Sequence, residues 1–111
     1  MFMPPPADRE SRHAYHLFAP LLDLEKLGVD RQAIIAALDA ENISVGIHYI
    51  PVHQHPYYRR QFGFVDSDFP NAWFVGERTI SLPLSSAMST QDVDDVATAL
   101  TRIFRYYATS A

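Results

Sequence analysis

The fold of this chain is decided by the stretch GIHYIPVHQHPYY, residues 46–58, which contains three histidines and three tyrosines. The apolar run 43–50 predicts a strand, and Pro51 ends it. A proline then suits the first turn of a short helix over 56–62, and Gly63 is placed to terminate that helix. The histidines and tyrosines therefore lie at the end of a strand and in the turn that follows it. Protein scaffolds commonly present ligand-binding side chains on such turns.

Three alternatives to small-molecule binding are open for this stretch. His53 and His55 lie two residues apart with His48 nearby, which is compatible with a metal site, but zinc usually takes three or four ligands and no HExxH pattern is present. A hydrolase would pair one of the histidines with a serine nucleophile, yet no nucleophile-elbow pattern surrounds any candidate. The candidate serines are Ser81, Ser85, Ser86 and Ser89. The third alternative is aromatic packing without a ligand.

Upstream of this stretch the sequence predicts one strand and one helix. Residues 12–24 are rich in Tyr, Phe and Leu and predict a strand. Pro20 lacks a donor N–H and so indicates an edge position or a bulge. Asp30 is a good N-cap, and the apolar residues at helical spacing after it predict a helix to about Asn42.

Downstream the sequence predicts two helices and a short strand. The sequence predicts a short helix that begins at residues 69–70 and runs to about Arg78, and a strand at residues 79–84. Residues 89–92, Ser-Thr-Gln-Asp, resemble a capping box that begins a long amphipathic helix. Its apolar stripe consists of Val93, Val96, Ala97, Leu100, Ile103, Phe104 and Tyr107. Few short strands with helices between them predict an α+β fold, a small antiparallel or mixed sheet with helices packed mainly on one face.

Composition narrows the class of protein. The 111 residues suit one domain, which we place at 11–111 after a disordered or extended leader at 1–10 with three consecutive prolines. The net charge of −4 argues against nucleic acid as a partner, and no apolar run is long enough for a membrane helix. The absence of cysteine and of a secretory signal predicts a cytoplasmic protein without disulfides or thiolate metal ligands.

Three cationic residues, Lys26, Arg59 and Arg60, are candidates for chemistry. Lys26 is the single lysine of the chain and is expected in an exposed loop before a helix. A Schiff-base lysine needs desolvation or a cationic neighbour to lower its pKa, so we do not assign Lys26 a catalytic role. The adjacent Arg59 and Arg60 either bind a phosphate or form a solvated helix face.

The motifs of the chain, in their order and spacing, resemble one enzyme family. The run 42–58 resembles the C-terminal region of the DegT/DnrJ/StrS family of nucleotide-sugar aminotransferases. Two flanking stretches and the closing helix agree with it, so the resemblance covers about residues 11–107. These stretches are RHAYHL at 12–17 and FPNA through GERTISLPL at 69–84. Trp73, where the family usually has Glu, and Gln54-His55, where Leu-Gln is common, depart from the pattern.

The resemblance implies a fold, a cofactor and partners. The expected fold is the small domain of an aspartate-aminotransferase-type (fold type I) enzyme. A separate large domain would carry the pyridoxal phosphate (PLP) and its lysine, so no cofactor is expected on this chain alone. By position, His48 and Tyr49 would bind the nucleotide-sugar substrate, often across a dimer interface, with His53 a weaker, possibly structural candidate. The expected partners are the large domain, a second copy of the protein and the nucleotide-sugar.

Two functional hypotheses follow from this resemblance. In the first, the chain is part of an aminotransferase that moves an amino group from glutamate to a keto-sugar nucleotide in polysaccharide biosynthesis. In the second, it is a stand-alone remnant that serves as a folded or oligomerising module. The residues are the same under both hypotheses.

Overall fold

The computed structural model describes residues 1–4, 10 and 12–108, and in this part of the chain five α-helices alternate with extended segments. The helices are α1 (Leu24–Leu27), α2 (Arg31–Ala40), α3 (Pro56–Phe62), α4 (Pro70–Arg78) and α5 (Thr90–Ala108). Single 3-10 turns, Val52–Gln54 and Asp66–Asp68, precede α3 and α4. Four of the five helices are those that the sequence predicts.

The core forms between α2, α5 and the extended segment 79–82. Its fully buried side chains come from different elements, namely Leu22, Ile34, Leu38 and Ile80. Leu100 and Ile103 of α5 close the same cluster from the other side. Because burying each such side chain contributes about 1.5–3 kcal/mol, this cluster holds the extended segments against the helices.

The helix ends are fixed by local signals in the sequence. The side chain of Asp30 accepts a hydrogen bond from the Ala33 amide at 2.9 Å and caps α2. At the start of α5, the Ser89 amide donates to Asp92 Oδ2 at 2.7 Å and the Asp92 amide donates back to Ser89 Oγ at 3.2 Å. The hydrogen bonds from Ser89 lower the pKa of the Asp92 carboxyl. The predicted capping box is confirmed, with Asp92 in the place where Glu or Gln is usual.

The extended segments pair through isolated antiparallel bridges. The bridges join Phe2 to Leu21, Phe18 to Leu82, Leu21 to Thr79 and Gly46 to Ser81. No continuous strand forms among the described residues, so the predicted sheet is not confirmed. Pro20 supplies one physical reason: the Ile80 amide donates to the Pro20 carbonyl at 3.3 Å, and proline has no N–H to return the bond.

Two further predictions differ from the structure. Lys26 was expected in a loop, but it lies in the short helix α1, which ends at Gly28 with a positive φ of 64°. Val93, predicted to belong to the apolar stripe of α5, is 53% exposed because the core begins one turn further along the helix. Half of the predicted leader, residues 5–9, lies outside the described residues; in the described half, Phe2 exchanges two backbone hydrogen bonds with Leu21.

Candidate functional site

His48 occupies a fixed position beside the segment 79–82. Its Nδ1 lies 2.8 Å from Ser81 Oγ in a partly buried hydrogen bond. The ring lies over the backbone of Gly46, where an added Cβ would be only 2.5 Å from Cε1 of His48. A side chain at position 46 would therefore displace the imidazole, which gives the glycine a steric role. A glycine inside a predicted strand indicates a bulge or a close backbone approach, and at Gly46 the structure shows a close approach of this ring.

Tyr49 is turned outward beside His48. Its side chain is 71% exposed, and its ring meets the His48 ring edge-on with centroids 4.8 Å apart. Because neighbouring side chains of a strand point to opposite faces, the sequence predicts His48 as the ligand contact and Tyr49 as partly packed. The exposure of Tyr49 shows that the second part is wrong. The pair instead presents one anchored imidazole and one exposed phenol on neighbouring positions.

His53 is a buried residue of the turn. It is 4% exposed and stacks on Phe69 with ring centroids 5.0 Å apart. Its Nε2 lies 3.3 Å from Asp66 Oδ1 but makes no hydrogen bond to a described residue. This environment favours a packing role for His53 in the chain as it stands.

Asp66 joins the two turns that flank α3, a function that sequence reasoning missed. Its Oδ1 accepts a hydrogen bond from Arg59 at 2.9 Å and one from Gln54 at 3.3 Å, in addition to the contact with His53. Arg59 is therefore an ion-pair partner of Asp66, and of the two arginines considered for phosphate only Arg60 lacks such a pairing among the described residues. No local pattern points from Asp66 to residues seven to thirteen positions earlier.

The alternative chemistries can be compared with the geometry. Among the described residues, no three His, Asp or Glu side chains converge as a metal site would require. Of the four candidate serines only Ser81 meets a histidine, but it is 5% exposed, and no described carboxylate contacts the His48 ring. A nucleophile so enclosed has little access to a substrate. The pair therefore fits a structural hydrogen bond better than a catalytic dyad.

A row of aromatic rings lies on the surface beside this turn. The rings of Tyr57, Tyr58, Phe62, Phe64 and Phe69 follow one another with centroid separations of 5.2, 6.2, 5.3 and 5.1 Å. Four of the five are exposed, Tyr57 by 61% and Phe62 by 57%. We call these five residues the aromatic row. An exposed apolar surface of this kind marks an interaction site.

The single lysine of the chain lies on the surface. The side chain of Lys26, the single lysine, is 82% exposed and pairs with Asp23 at 3.2 Å. A lysine that forms a Schiff base is instead desolvated or placed beside another cation. In the described part of the chain, no helix is long and apolar enough to span a membrane.

Comparison with known proteins places these features in a family. The sequence matches the family model of the DegT/DnrJ/EryC1/StrS aminotransferases over residues 1–101. The chain belongs to this family. The spore coat polysaccharide biosynthesis protein SpsC of Bacillus subtilis is 50% identical over 97 residues, which are 86% of this chain and 25% of SpsC. Protein MJ1066 of Methanocaldococcus jannaschii is 41% identical over 99 residues, 89% of this chain and 26% of that protein.

Solved structures show the same fold. Aminotransferase TlmJ from Streptoalloteichus hindustanus superposes with a TM-score of 0.77 at 24% identity, covering 98% of this chain and 27% of TlmJ. PseC of Helicobacter pylori, an aminotransferase involved in pseudoaminic acid biosynthesis, superposes with a TM-score of 0.74 at 22% identity, covering 83% of this chain and 24% of PseC. Spr1654 from Streptococcus pneumoniae, solved in a PLP form, superposes with a TM-score of 0.71 at 26% identity, covering 83% of this chain and 23% of Spr1654. The chain spans about a quarter of these proteins, and PLP is implied for full-length homologues.

Proposed function

We propose that this chain is the C-terminal small domain of a PLP-dependent sugar aminotransferase that transfers an amino group from glutamate to a keto-sugar nucleotide. The observation that supports this most is the family match over residues 1–101 together with a span of about a quarter of each relative. The missing three quarters are then the large domain, which supplies PLP and its lysine. The lone exposed Lys26 is consistent with that division, because this chain offers no lysine suited to the cofactor.

The turn at His48 and Tyr49 is the proposed contact to the substrate. Imidazole and phenol both donate hydrogen bonds, which suits the oxygens of a diphosphate or a sugar. Tyr49 is free to reach a ligand because its side chain is 71% exposed, whereas His48 is anchored on one ring nitrogen and offers the other. His53 is enclosed between Phe69 and Asp66, so its contribution to binding is to fix the turn.

The remaining partners follow from the surface and the composition. The aromatic row lies next to the turn and fits a contact with the large domain or with a second copy of the enzyme. The negative net charge is unfavourable for nucleic acid. The absence of cysteine is compatible with a cytoplasmic enzyme.

A chimera with SpsC tests the proposal. The matched quarter of SpsC is replaced by this chain, since half of the aligned residues are identical. Unmodified SpsC is first screened with a panel of keto-sugar nucleotides to find one that it accepts. We expect the chimera to release more than one equivalent of 2-oxoglutarate per active site only when that keto-sugar nucleotide is present, because the keto-sugar must take up the amino group before a second glutamate can react.

Two matched variants make the result interpretable. SpsC without its C-terminal quarter should be inactive, and so should a chimera with Leu100→Asp, which places a charge in the buried cluster. A chimera that is folded and retains PLP but does not turn over the substrate accepted by SpsC would contradict the proposed function.

A further inference from the structure

Ser81 pairs with Gly46 through two backbone hydrogen bonds, and its neighbour Leu82 is bonded on the opposite edge of the same segment. The Gly46 amide donates to the Ser81 carbonyl at 3.0 Å, and the Ser81 amide donates to the Gly46 carbonyl at 2.8 Å. On the opposite edge, the Leu82 amide donates to the Phe18 carbonyl at 3.0 Å. The residue is 5% exposed and its neighbour Ile80 is fully buried. The backbone that carries the Ser81 Oγ atom is therefore held in a fixed position.

The same backbone pair brings His48 to that hydroxyl. Gly46 lies opposite Ser81, and His48 follows two residues later, so its ring folds back over Gly46 to reach Ser81 Oγ at 2.8 Å. The space for the ring exists only because residue 46 has no Cβ, which would lie 2.5 Å from Cε1. One unit is formed in this way: Gly46 pairs with Ser81 through the backbone, and the His48 ring lies against Gly46 and is bonded to the Ser81 hydroxyl, which anchors it.

The anchor engages one nitrogen of the imidazole and leaves the other available. Nδ1 faces Ser81, and no described residue bonds to Nε2. A neutral imidazole carries one donor and one acceptor nitrogen, and the hydrogen bond at one of them decides which tautomer is present. If the serine hydroxyl donates to Nδ1, the proton stays on Nε2, which then donates outward. Phosphate oxygens without a proton accept only, so this tautomer is the one that suits an anionic ligand.

We infer that Ser81 is a positioning residue that donates to His48 Nδ1, holds the proton on Nε2 and so aims a hydrogen-bond donor at the nucleotide-sugar. The inference deepens the proposed function, because the ligand of Nε2 rests on it. The anchoring of the ring and its tautomer do not, since both are properties of this chain alone. Ser81 contacts His48 and not the substrate, which separates it from the nucleophile considered above.

Nitrogen NMR of the histidine rings in the ¹⁵N-labelled chain tests the anchoring, at a pH where the rings are neutral. We expect His48 to show one well-separated acceptor nitrogen and one donor nitrogen, whereas the exposed His16 shows averaged values. A strong nuclear Overhauser effect should link His48 Hε1 to the Gly46 α-hydrogens, because the ring lies against them. A wild-type His48 ring with the averaged values of His16 would by itself overturn the inference.

Variants separate positioning from general stability. Ser81→Ala should move the His48 nitrogens toward the values of His16 and weaken the link to Gly46, and Ser81→Thr, which keeps the hydroxyl, should restore both. Ser44→Ala removes an exposed hydroxyl four residues before His48 and should change neither. A folded Ser81→Ala chain with an unchanged His48 tautomer would contradict the inference. If Ser81→Ala does not fold, the wild-type spectrum and the Gly46→Ala variant test the inference instead. Gly46→Ala should move the His48 ring away from Ser81 and shift its nitrogens toward the values of His16.

Kinetics of the SpsC chimera then separate this inference from the proposed function. Ser81→Ala should raise KM for the keto-sugar nucleotide that the chimera accepts by about threefold to tenfold, with kcat within roughly twofold. Suppose that Ser81→Ala changes the tautomer in NMR, but neither Ser81→Ala nor His48→Ala changes KM relative to the unsubstituted chimera. The anchoring then stands, and the substrate role of His48 fails. If KM rises while the tautomer is unchanged, Ser81 does not act through His48 and the inference fails.

Discussion

His53 stacks on Phe69 with ring centroids 5.0 Å apart and ring planes 28° apart, across the sixteen positions that separate them in the sequence. This contact joins the 3-10 turn before α3 to the start of α4. Asp66 lies on the other side of the imidazole, 3.3 Å from Nε2. The turn that carries His48 and Tyr49 is therefore supported by the buried His53 ring, which stacks on the more exposed Phe69 ring, and by a carboxylate.

The first prediction concerns this support. His53→Ala should lower the free energy of unfolding by about 1–3 kcal/mol, because it removes a buried ring and its stacking on Phe69. His55→Ala is the matched control, since His55 is exposed, and it should change the value by less than about 0.5 kcal/mol. Urea unfolding followed by circular dichroism measures both. Equal stability of the two variants would show that the His53 contact contributes nothing.

The second prediction concerns His48 in the SpsC chimera. A hydrogen bond to a charged group contributes about 1.5–3 kcal/mol. His48→Ala should therefore raise KM for the keto-sugar nucleotide by about tenfold to a hundredfold. The maximal rate should change little, because lost uniform binding leaves it unaltered. Steady-state kinetics decides, with His16→Ala as a control at an exposed histidine. A collapse of the maximal rate at constant KM would assign His48 a catalytic role instead.

The third prediction concerns Lys26 and PLP. The isolated chain should not bind PLP covalently, because the side chain of its single lysine is 82% exposed and paired with Asp23, whereas a Schiff-base lysine is desolvated or lies beside another cation. The chain is incubated with PLP at a low, stoichiometric concentration, reduced with borohydride and analysed by peptide mass spectrometry. Lys26→Arg provides the background. Specific reductive labelling at Lys26 in the wild-type chain would disprove this division of labour between the two domains.

The fourth prediction concerns the aromatic row. The isolated chain should self-associate, because Tyr57 and Phe62 expose 61% and 57% of their surface on a face suited to a partner. Sedimentation velocity over a range of concentrations should show this, and Phe62→Ser should shift the distribution toward monomer. Tyr15→Ser, at a 70% exposed ring outside the row, should leave it unchanged. A clean wild-type monomer at high concentration would contradict this prediction.

The helices were predictable because their signals are local. Asp30 caps α2, Gly63 follows α3 with a positive φ of 69°, and Ser89 and Asp92 close the box that begins α5. Each signal depends on residues within one turn of the helix end. The helix α1 was missed because it has only four residues, too few for an apolar periodicity to be visible.

The extended segments and the contacts of the site were less predictable because they depend on distant residues. Ser81 and His48 are 33 positions apart, and no local pattern links them. The exposure of Tyr49 followed from the anchoring of its neighbour, which strand alternation does not include. Pairing along Phe18 and Leu82 depends on which backbone groups can donate, and Pro20 interrupts it in a way that apolar patterning does not show. Sequence alone was sufficient for the family and for the turn, but not for the geometry within the turn.

The most direct test of the central claim follows the amino group itself. The SpsC chimera is incubated with ¹⁵N-glutamate and the keto-sugar nucleotide accepted by SpsC, and the nucleotide-sugar is analysed by mass spectrometry. The account predicts an amino-sugar nucleotide that carries ¹⁵N, formed by the chimera but not by SpsC lacking its C-terminal quarter. A folded chimera that retains PLP and yields no labelled nucleotide-sugar, while intact SpsC does, would contradict the claim that this chain is the small domain of a sugar aminotransferase.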